Sequence, residues 1–187
     1  NFKELRIILE KRSVKFKSET DTEVLLYLFI EYGTACLSML EGMFAFAVWD
    51  NKEKTLFLAR DRIGKKPLFY YHDHDKFIFA SEIKSILAHP DVSAKPNEKM
   101  LRTYLNLRYL SSPETLFRGI YGLSPASYAV IKNGAAEINE YWHIQPKAVY
   151  RKTGSFKDMQ EDFLLRFKDS VKKRLVTIDG TPPNLIN

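Results

Sequence analysis

A chain of 187 residues with 45% hydrophobic, 28% charged and 13% aromatic side chains has room for one full domain and a small appendage, and its composition excludes a disordered, collagen-like or disulfide-stapled protein. The formal charge is +6, but nine basic and four acidic residues, a net +5, fall between positions 147 and 174. There Phe156, Phe163, Leu164, Phe167, Val171 and Leu175 recur at helical spacing, so the excess reads as the solvated face of one helix rather than as a nucleic-acid site.

The longest apolar runs, 43–49 and 24–30, are seven residues each, against the roughly 20 needed to span a bilayer. No membrane partner is expected. Cys36 is the single cysteine and cannot form an internal disulfide, which favours a reducing compartment.

Phe2, Leu5, Ile8 and Leu9 lie at helical intervals and predict a first amphipathic helix. Thr20 and Glu23 have capping-box spacing ahead of Val24, Leu25, Leu28 and Phe29, which predicts a second helix stopping near Gly33. A short third helix is expected from Thr34 toward Leu40. From Met43 the period becomes two. Phe44, Phe46 and Val48 share one face, and Met43, Ala45, Ala47 and Trp49 the other. Both faces are apolar, so this strand is expected to lie buried between two layers, with something packed close against the alanines. Strands 55–59, 68–71 and 77–80 follow, read together as an antiparallel meander.

Ser81 is positioned to cap a helix over 82–88 that ends before Pro90, and Asn97 to cap one carrying Met100, Leu101, Tyr104 and Leu105. Strands 128–131 and 138–142 form a late hairpin through Lys132-Asn133-Gly134, whose Asn-Gly pair is a strong turn signal. Residues 145–155 read as a linker, 156–177 as a basic helix, and 178–187 as a tail with no core-forming period.

Four features could carry chemistry. Cys36 stands with Leu37 and Leu40 and has no basic neighbour in sequence to lower its pKa, so it reads as a buried structural thiol. His72-Asp73-His74-Asp75 is flanked by Phe69 to Tyr71 and Phe77 to Phe79, which makes it a hairpin tip rather than a metal site. The loop from Arg60 to Pro67, rich in charge with Gly64 inside it, either binds phosphate or is fixed by an internal Arg–Asp network. Asp21, beside the capping threonine, has the ordinary reading of a first-turn carboxylate favoured by the helix dipole.

Several segments together resemble the glutamine amidotransferase domain of the asparagine synthetase B family, the class II type with an N-terminal nucleophile. They are Asn1-Phe2-Lys3-Glu4-Leu5-Arg6, Thr20-Asp21-Thr22-Glu23-Val24, Gly42-Met43-Phe44-Ala45-Phe46-Ala47, Ala59-Arg60-Asp61-Arg62-Ile63-Gly64-Lys65-Lys66-Pro67-Leu68 and Phe79-Ala80-Ser81-Glu82-Ile83-Lys84. The likeness continues through Leu107-Arg108-Tyr109, Thr115-Leu116-Phe117-Arg118-Gly119-Ile120, Leu123-Ser124-Pro125-Ala126 and Ser170-Val171-Lys172-Lys173-Arg174-Leu175, in the family's order.

The resemblance implies an α+β fold, a partial four-layer αββα sandwich with antiparallel sheets. Residues 1–144 would be an N-terminally truncated glutaminase domain, 145–155 a linker, 156–177 the first helix leading to a synthetase domain and 178–187 a divergent tail. In the family an N-terminal cysteine, with its own α-amine as base, hydrolyses glutamine to glutamate and ammonia. Ammonia passes through an enclosed tunnel to a second domain, where ATP with magnesium has activated aspartate, and asparagine results.

Carried over by position, the resemblance gives this chain no catalytic residue, since the nucleophile would lie upstream of Asn1. It gives one substrate contact, Asp21, the carboxylate that binds the glutamine α-ammonium. It gives no metal and no cofactor within the chain. A cytoplasmic location is expected, a homodimer is left open, and the 187 residues alone are expected to be inactive. Two alternatives remain: an amidotransferase of the same superfamily acting on a cell-surface sugar or peptide carboxylate, and a non-catalytic scaffold.

Overall fold

The computed structural model describes residues 1–145 and 155–174. The fold opens with helix α1 (Phe2–Glu10), helix α2 (Asp21–Tyr32), a 3-10 turn (Gly33–Ala35) and the short helix α3 (Cys36–Met39). Two hairpins follow, β1 (Ala45–Asp50) with β2 (Thr55–Arg60), and β3 (Phe69–His72) with β4 (Phe77–Ala80). Helices α4 (Ile83–Leu87) and α5 (Glu98–Leu107) lead to β5 (Ile120–Gly122), β6 (Ser127–Lys132) and β7 (Ala135–Glu140).

The strands form two antiparallel sheets, one in the order β1-β2-β6-β7 and one in the order β4-β3-β5. The expected meander is therefore corrected. β2 pairs with β6, not with β3, and the chain leaves one sheet for the other between residues 61 and 68. The three-residue strand β5 has too short a pattern to be seen in sequence, and it is the partner that β3 takes instead.

Three apolar clusters stack these elements into layers. Leu5 and Leu9 of α1, Val24 and Leu28 of α2, and Cys36 and Leu37 of α3 pack against Phe57 and Ala59 on one face of β2. The opposite face of β2 contributes Leu58, which packs with Ala129 and Ile131 of β6 and with Tyr70 and Phe77 of the second sheet. The outer face of that sheet, through Phe69, Tyr71, Ile78 and Ile120, packs on Ile83, Ile86 and Leu87 of α4. Alternate residues of β2 and β3 thus face different layers, as the period of two requires, and the layering is helix, sheet, sheet, helix.

The strand buried on both faces is β2, where Phe57, Leu58 and Ala59 are all inaccessible. β1 does not have the double-sided burial its sequence suggests. It is an edge strand, with Phe46 and Val48 against the helices, Ala47 exposed and Trp49 55% exposed. Among the described residues Ala47 has no covering layer that buries it.

Local signals were realised closely. Thr20 is the N-cap of α2, its Oγ1 accepting from Glu23 N at 3.3 Å. Gly33, at φ 55°, ends the helix by donating its N–H to Phe29 O. The expected third helix is split between the 3-10 turn and α3. Asn97 caps α5 through Met100 N. Ser81 is not the cap of α4, whose N-cap is Glu82 with no side-chain bond. Asn133 (φ 51°) and Gly134 (φ 78°) join β6 to β7, the pair of left-handed residues a two-residue hairpin turn needs.

A second compact unit holds helix α6 (Phe156–Arg174). Its start is reciprocally capped: Ser155 N donates to Asp158 Oδ2 at 2.8 Å and Asp158 N to Ser155 Oγ at 3.3 Å. Arg166 with Asp162 and Lys173 with Asp169 form i,i+4 ion pairs, and the Phe163 and Phe167 rings stack with centroids 6.1 Å apart. The expected linker, apart from its first and last residues, and the tail lie outside the described residues.

Candidate functional site

The start of α2 is built by a loop that folds back on it. After α1, residues 11–20 are held at several points. Arg6 of α1 donates from Nη1 to Ser18 O at 2.8 Å and from Nε to Glu10 at 3.0 Å, and its guanidinium lies 4.2 Å from the centroid of the Phe16 ring. Phe16 meets Tyr27 of α2 edge to face at 5.4 Å. Closer to the helix, Glu23 accepts from Lys17 N (2.8 Å), Ser18 N (2.7 Å) and Ser18 Oγ (2.6 Å). The Ser18 hydroxyl and the Lys17 and Ser18 amides, with Arg6 nearby, hold the Glu23 carboxyl below its ordinary range.

Asp21, the first residue of α2, is exposed at the end of this arrangement. Among the described residues its carboxylate takes one hydrogen bond, from Thr22 Oγ1 at 3.4 Å. Its neighbours Thr20 and Glu23 are both committed to the loop, whereas Asp21 is turned toward solvent at the positive end of the helix dipole. An ionised carboxylate so placed can accept charge-assisted bonds from an incoming ammonium.

Cys36 is elsewhere. It is fully buried in the core beneath α2 with Val24, Leu28 and Leu37, and burial pushes its thiol up to about 11. A thiol so protonated at neutral pH is a poor nucleophile, in agreement with the structural reading.

The loop after β2 is closed by its own hydrogen bonds. Asp61 is completely buried, and its carboxylate accepts from Lys65 N and Lys66 N at 2.9 Å and from Ile63 N and Phe44 N at 3.3 Å. Burial raises this carboxyl, yet the amides of Lys66, Lys65, Ile63 and Phe44 together outweigh it and leave the pKa below the ordinary value. Arg60 donates to Lys66 O (2.7 Å), Leu123 O (2.6 Å) and Gly64 O (2.8 Å). Of the two readings, the loop follows the internal network, but with a correction. The arginine binds carbonyls and the aspartate binds amides, and the two side chains are not an ion pair.

This is the chain's crossing point between sheets, and Tyr141 OH adds a bond to Arg60 O at 2.9 Å. The tip at 72–75 is the turn of the β3–β4 hairpin, where Asp73 accepts from Asp75 N, Lys76 N and Tyr71 OH. His72 Nε2 lies 3.0 Å from Gly134 O, so these groups close the hairpins onto one another.

Sequence reasoning missed the part played by Glu23. The capping-box spacing suggested that its side chain returns to the Thr20 amide, but it reaches the loop at Lys17 and Ser18 instead. A serine five residues ahead of a glutamate was the only available signal. The complete burial of Asp61 was equally hidden.

Comparison with known proteins places these features. Residues 1–142 match the family described as glutamine amidotransferase domain. Glutamine-hydrolyzing asparagine synthetase 3 of Bacillus subtilis (strain 168) is 39% identical over 178 residues, covering 95% of this chain and 28% of that protein. A putative glutamine-hydrolyzing asparagine synthetase 2 of Methanocaldococcus jannaschii is 33% identical over 180 residues, 94% of this chain and 34% of that protein. The chain therefore spans about a quarter to a third of these relatives.

Among solved structures, the glutamine phosphoribosylpyrophosphate amidotransferase from B. subtilis complexed with ADP and GMP superposes with a TM-score of 0.51 at 22% identity, over 75% of this chain and 26% of that one. An allosteric regulatory enzyme of purine biosynthesis gives 0.52 at 22% identity, over 76% and 26%. At that identity the two structures speak for the shared α+β sandwich alone. The family match over most of the length does more: the chain belongs to the glutamine amidotransferase domain family, homologous to the glutaminase domain of asparagine synthetases.

Proposed function

We propose that residues 1–144 serve as the glutaminase part of a glutamine-dependent asparagine synthetase, and that Asp21 receives the α-ammonium of glutamine. The observation that carries this reading is the exposed Asp21 carboxylate at the head of α2, while the side chains of Thr20 before it and Glu23 two residues on are tied to Ser18 of the loop. A fixed anion there distinguishes an amino-acid amide from an ordinary amide, because only the former brings a cation to it.

The nucleophile is then supplied from outside these 187 residues. The single thiol present, Cys36, is buried and held protonated, which supports that assignment. The amidated carboxylate, aspartate in this reading, and the ATP and magnesium that activate it would belong to a synthetase domain, for which relatives about three times as long as this chain leave room. There ATP would supply the activation of that carboxylate, while the contribution of this chain would be to bind glutamine and orient it. Residues 145–155 would be the linker and 156–177 the first helix toward that domain. Among the described residues no helix is long and apolar enough to cross a membrane.

The reading is tested in the full-length protein with Asp21→Asn. The variant should weaken use of glutamine, through a raised KM, more than use of free ammonia as nitrogen donor. Equal loss with both donors would mean that Asp21 serves the fold rather than the substrate.

A further inference from the structure

Asp21 can select an ammonium only if its carboxylate is held at one place, and an exposed residue following a ten-residue loop has no core packing to hold it. What fixes it is a closed set of bonds around Ser18. Glu23 Oε2 accepts from both Ser18 N (2.7 Å) and Ser18 Oγ (2.6 Å), and Oε1 from Lys17 N (2.8 Å). Ser18 Oγ lies 3.0 Å from Thr20 Oγ1, which accepts from Glu23 N. The side chains on both sides of Asp21 are therefore committed: that of Thr20 before it through the cap, that of Glu23 two residues after it through the loop. Arg6 closes the loop from the other side through Ser18 O.

Glu23 sits at the position from which a capping-box glutamate would reach the N-cap amide. Here its carboxylate goes to Lys17 and Ser18, a choice that fastens the loop to the helix rather than merely finishing the helix. Three donors on one ionised carboxylate, two of them backbone amides, restrain it far more than a single surface ion pair does.

We propose that Glu23 is the positioning residue for Asp21: through Ser18 and Thr20 it holds the first turn of α2 so that the Asp21 carboxylate is already in place when glutamine arrives. The proposal rests on the reading of Asp21 given above. Glu23 itself does not touch the substrate. Its carboxyl, kept below the ordinary range by the same donors, stays ionised throughout the neutral range.

The test is a double-mutant cycle in the full-length protein, with Glu23→Gln, Asp21→Asn and the pair, reading KM and kcat for glutamine alongside the rate with free ammonia and the melting temperature. Glu23→Gln should raise KM for glutamine by about tenfold, the order of one charge-assisted hydrogen bond, with a smaller change in kcat and in ammonia use. The double variant should be no worse than Asp21→Asn alone, since Glu23 acts through Asp21.

If Asp21→Asn leaves KM unchanged, the reading of Asp21 fails and takes the proposal with it. If Asp21→Asn raises KM while Glu23→Gln does not, the positioning role alone is overturned. It is likewise overturned if the two effects multiply, or if Glu23→Gln depresses use of both donors equally. Should Glu23→Gln fold poorly, Ser18→Ala removes one of the three bonds and should raise KM for glutamine in the same direction by about two- to threefold; an unchanged KM there also contradicts the proposal.

Discussion

Two aspartates show how differently one residue type is used within a single domain. Asp21 is exposed and, among the described residues, takes a single hydrogen bond, whereas Asp61 is inaccessible and accepts from four backbone amides. In the Asp61→Asn variant an amide –NH2 group would face N–H donors, leaving them unsatisfied in the core, so that variant should lose about 3 kcal/mol of stability in urea unfolding. The pH dependence has a definite sign. Because the folded-state pKa of Asp61 lies below its ordinary value, its contribution is complete above the unfolded pKa of about 3.9 and is lost as pH falls through the lower folded value. Wild-type stability should therefore decline in that acid range and the Asp61→Asn variant should decline less; parallel declines would contradict the assignment.

At this scale the sequence disclosed the inert character of Cys36, because its neighbours are apolar and no cation accompanies it. It did not disclose Asp61, since a charged residue in a charged, glycine-containing loop looks exposed until the amides converging on it are seen.

Elements were legible where their causes are local. The cap at Thr20, the stop at Gly33 and the Asn133-Gly134 turn depend on residues within a few positions of one another, and each stood where expected. Pairing between distant strands was not legible. The hairpin β3–β4 joined β5 in a second sheet because the chain turns away after β2 around Asp61, and nothing in the strand sequences says so. For the same reason β1, apolar on both faces, became an edge strand, while β2 took the doubly buried place.

Two glycines separate the effects of conformation and space. Gly64 has φ +64° and an added Cβ would stand 2.9 Å from Pro125 Cγ and 3.1 Å from Arg60 Cζ. Gly134 has φ +78° with its nearest neighbour, His74 O, at an ordinary 3.9 Å. Gly134→Ala should cost about 1 kcal/mol, from backbone strain alone. Gly64→Ala should cost about 2–3 kcal/mol, because it also displaces the Arg60 network. Equal melting temperatures for the two variants would contradict that account of the crossing loop.

Taken whole, residues 2–143 are a four-layer sandwich whose helical face carries α2 and, at its head, Asp21. The layering could be anticipated from the resemblance but not from periodicity, which assigned the doubly buried strand to the wrong segment. Of the candidate site, only the residue Asp21 was named from the sequence, through the resemblance; the bonds from Glu23 to Lys17 and Ser18 require the folded loop. The chain is a glutamine amidotransferase domain, and in the proposal made above its part in substrate choice rests on one charge, that of Asp21.

That claim is tested most directly by comparing, in the full-length protein, kcat/KM for glutamine with kcat/KM for glutaramate, the same amide without the α-ammonium. The wild type should prefer glutamine by about 100-fold or more, the discrimination expected of a polar site left unpaired by the wrong substrate, and Asp21→Asn should erase most of that preference by lowering the value for glutamine alone. An undiminished preference in Asp21→Asn would contradict the account.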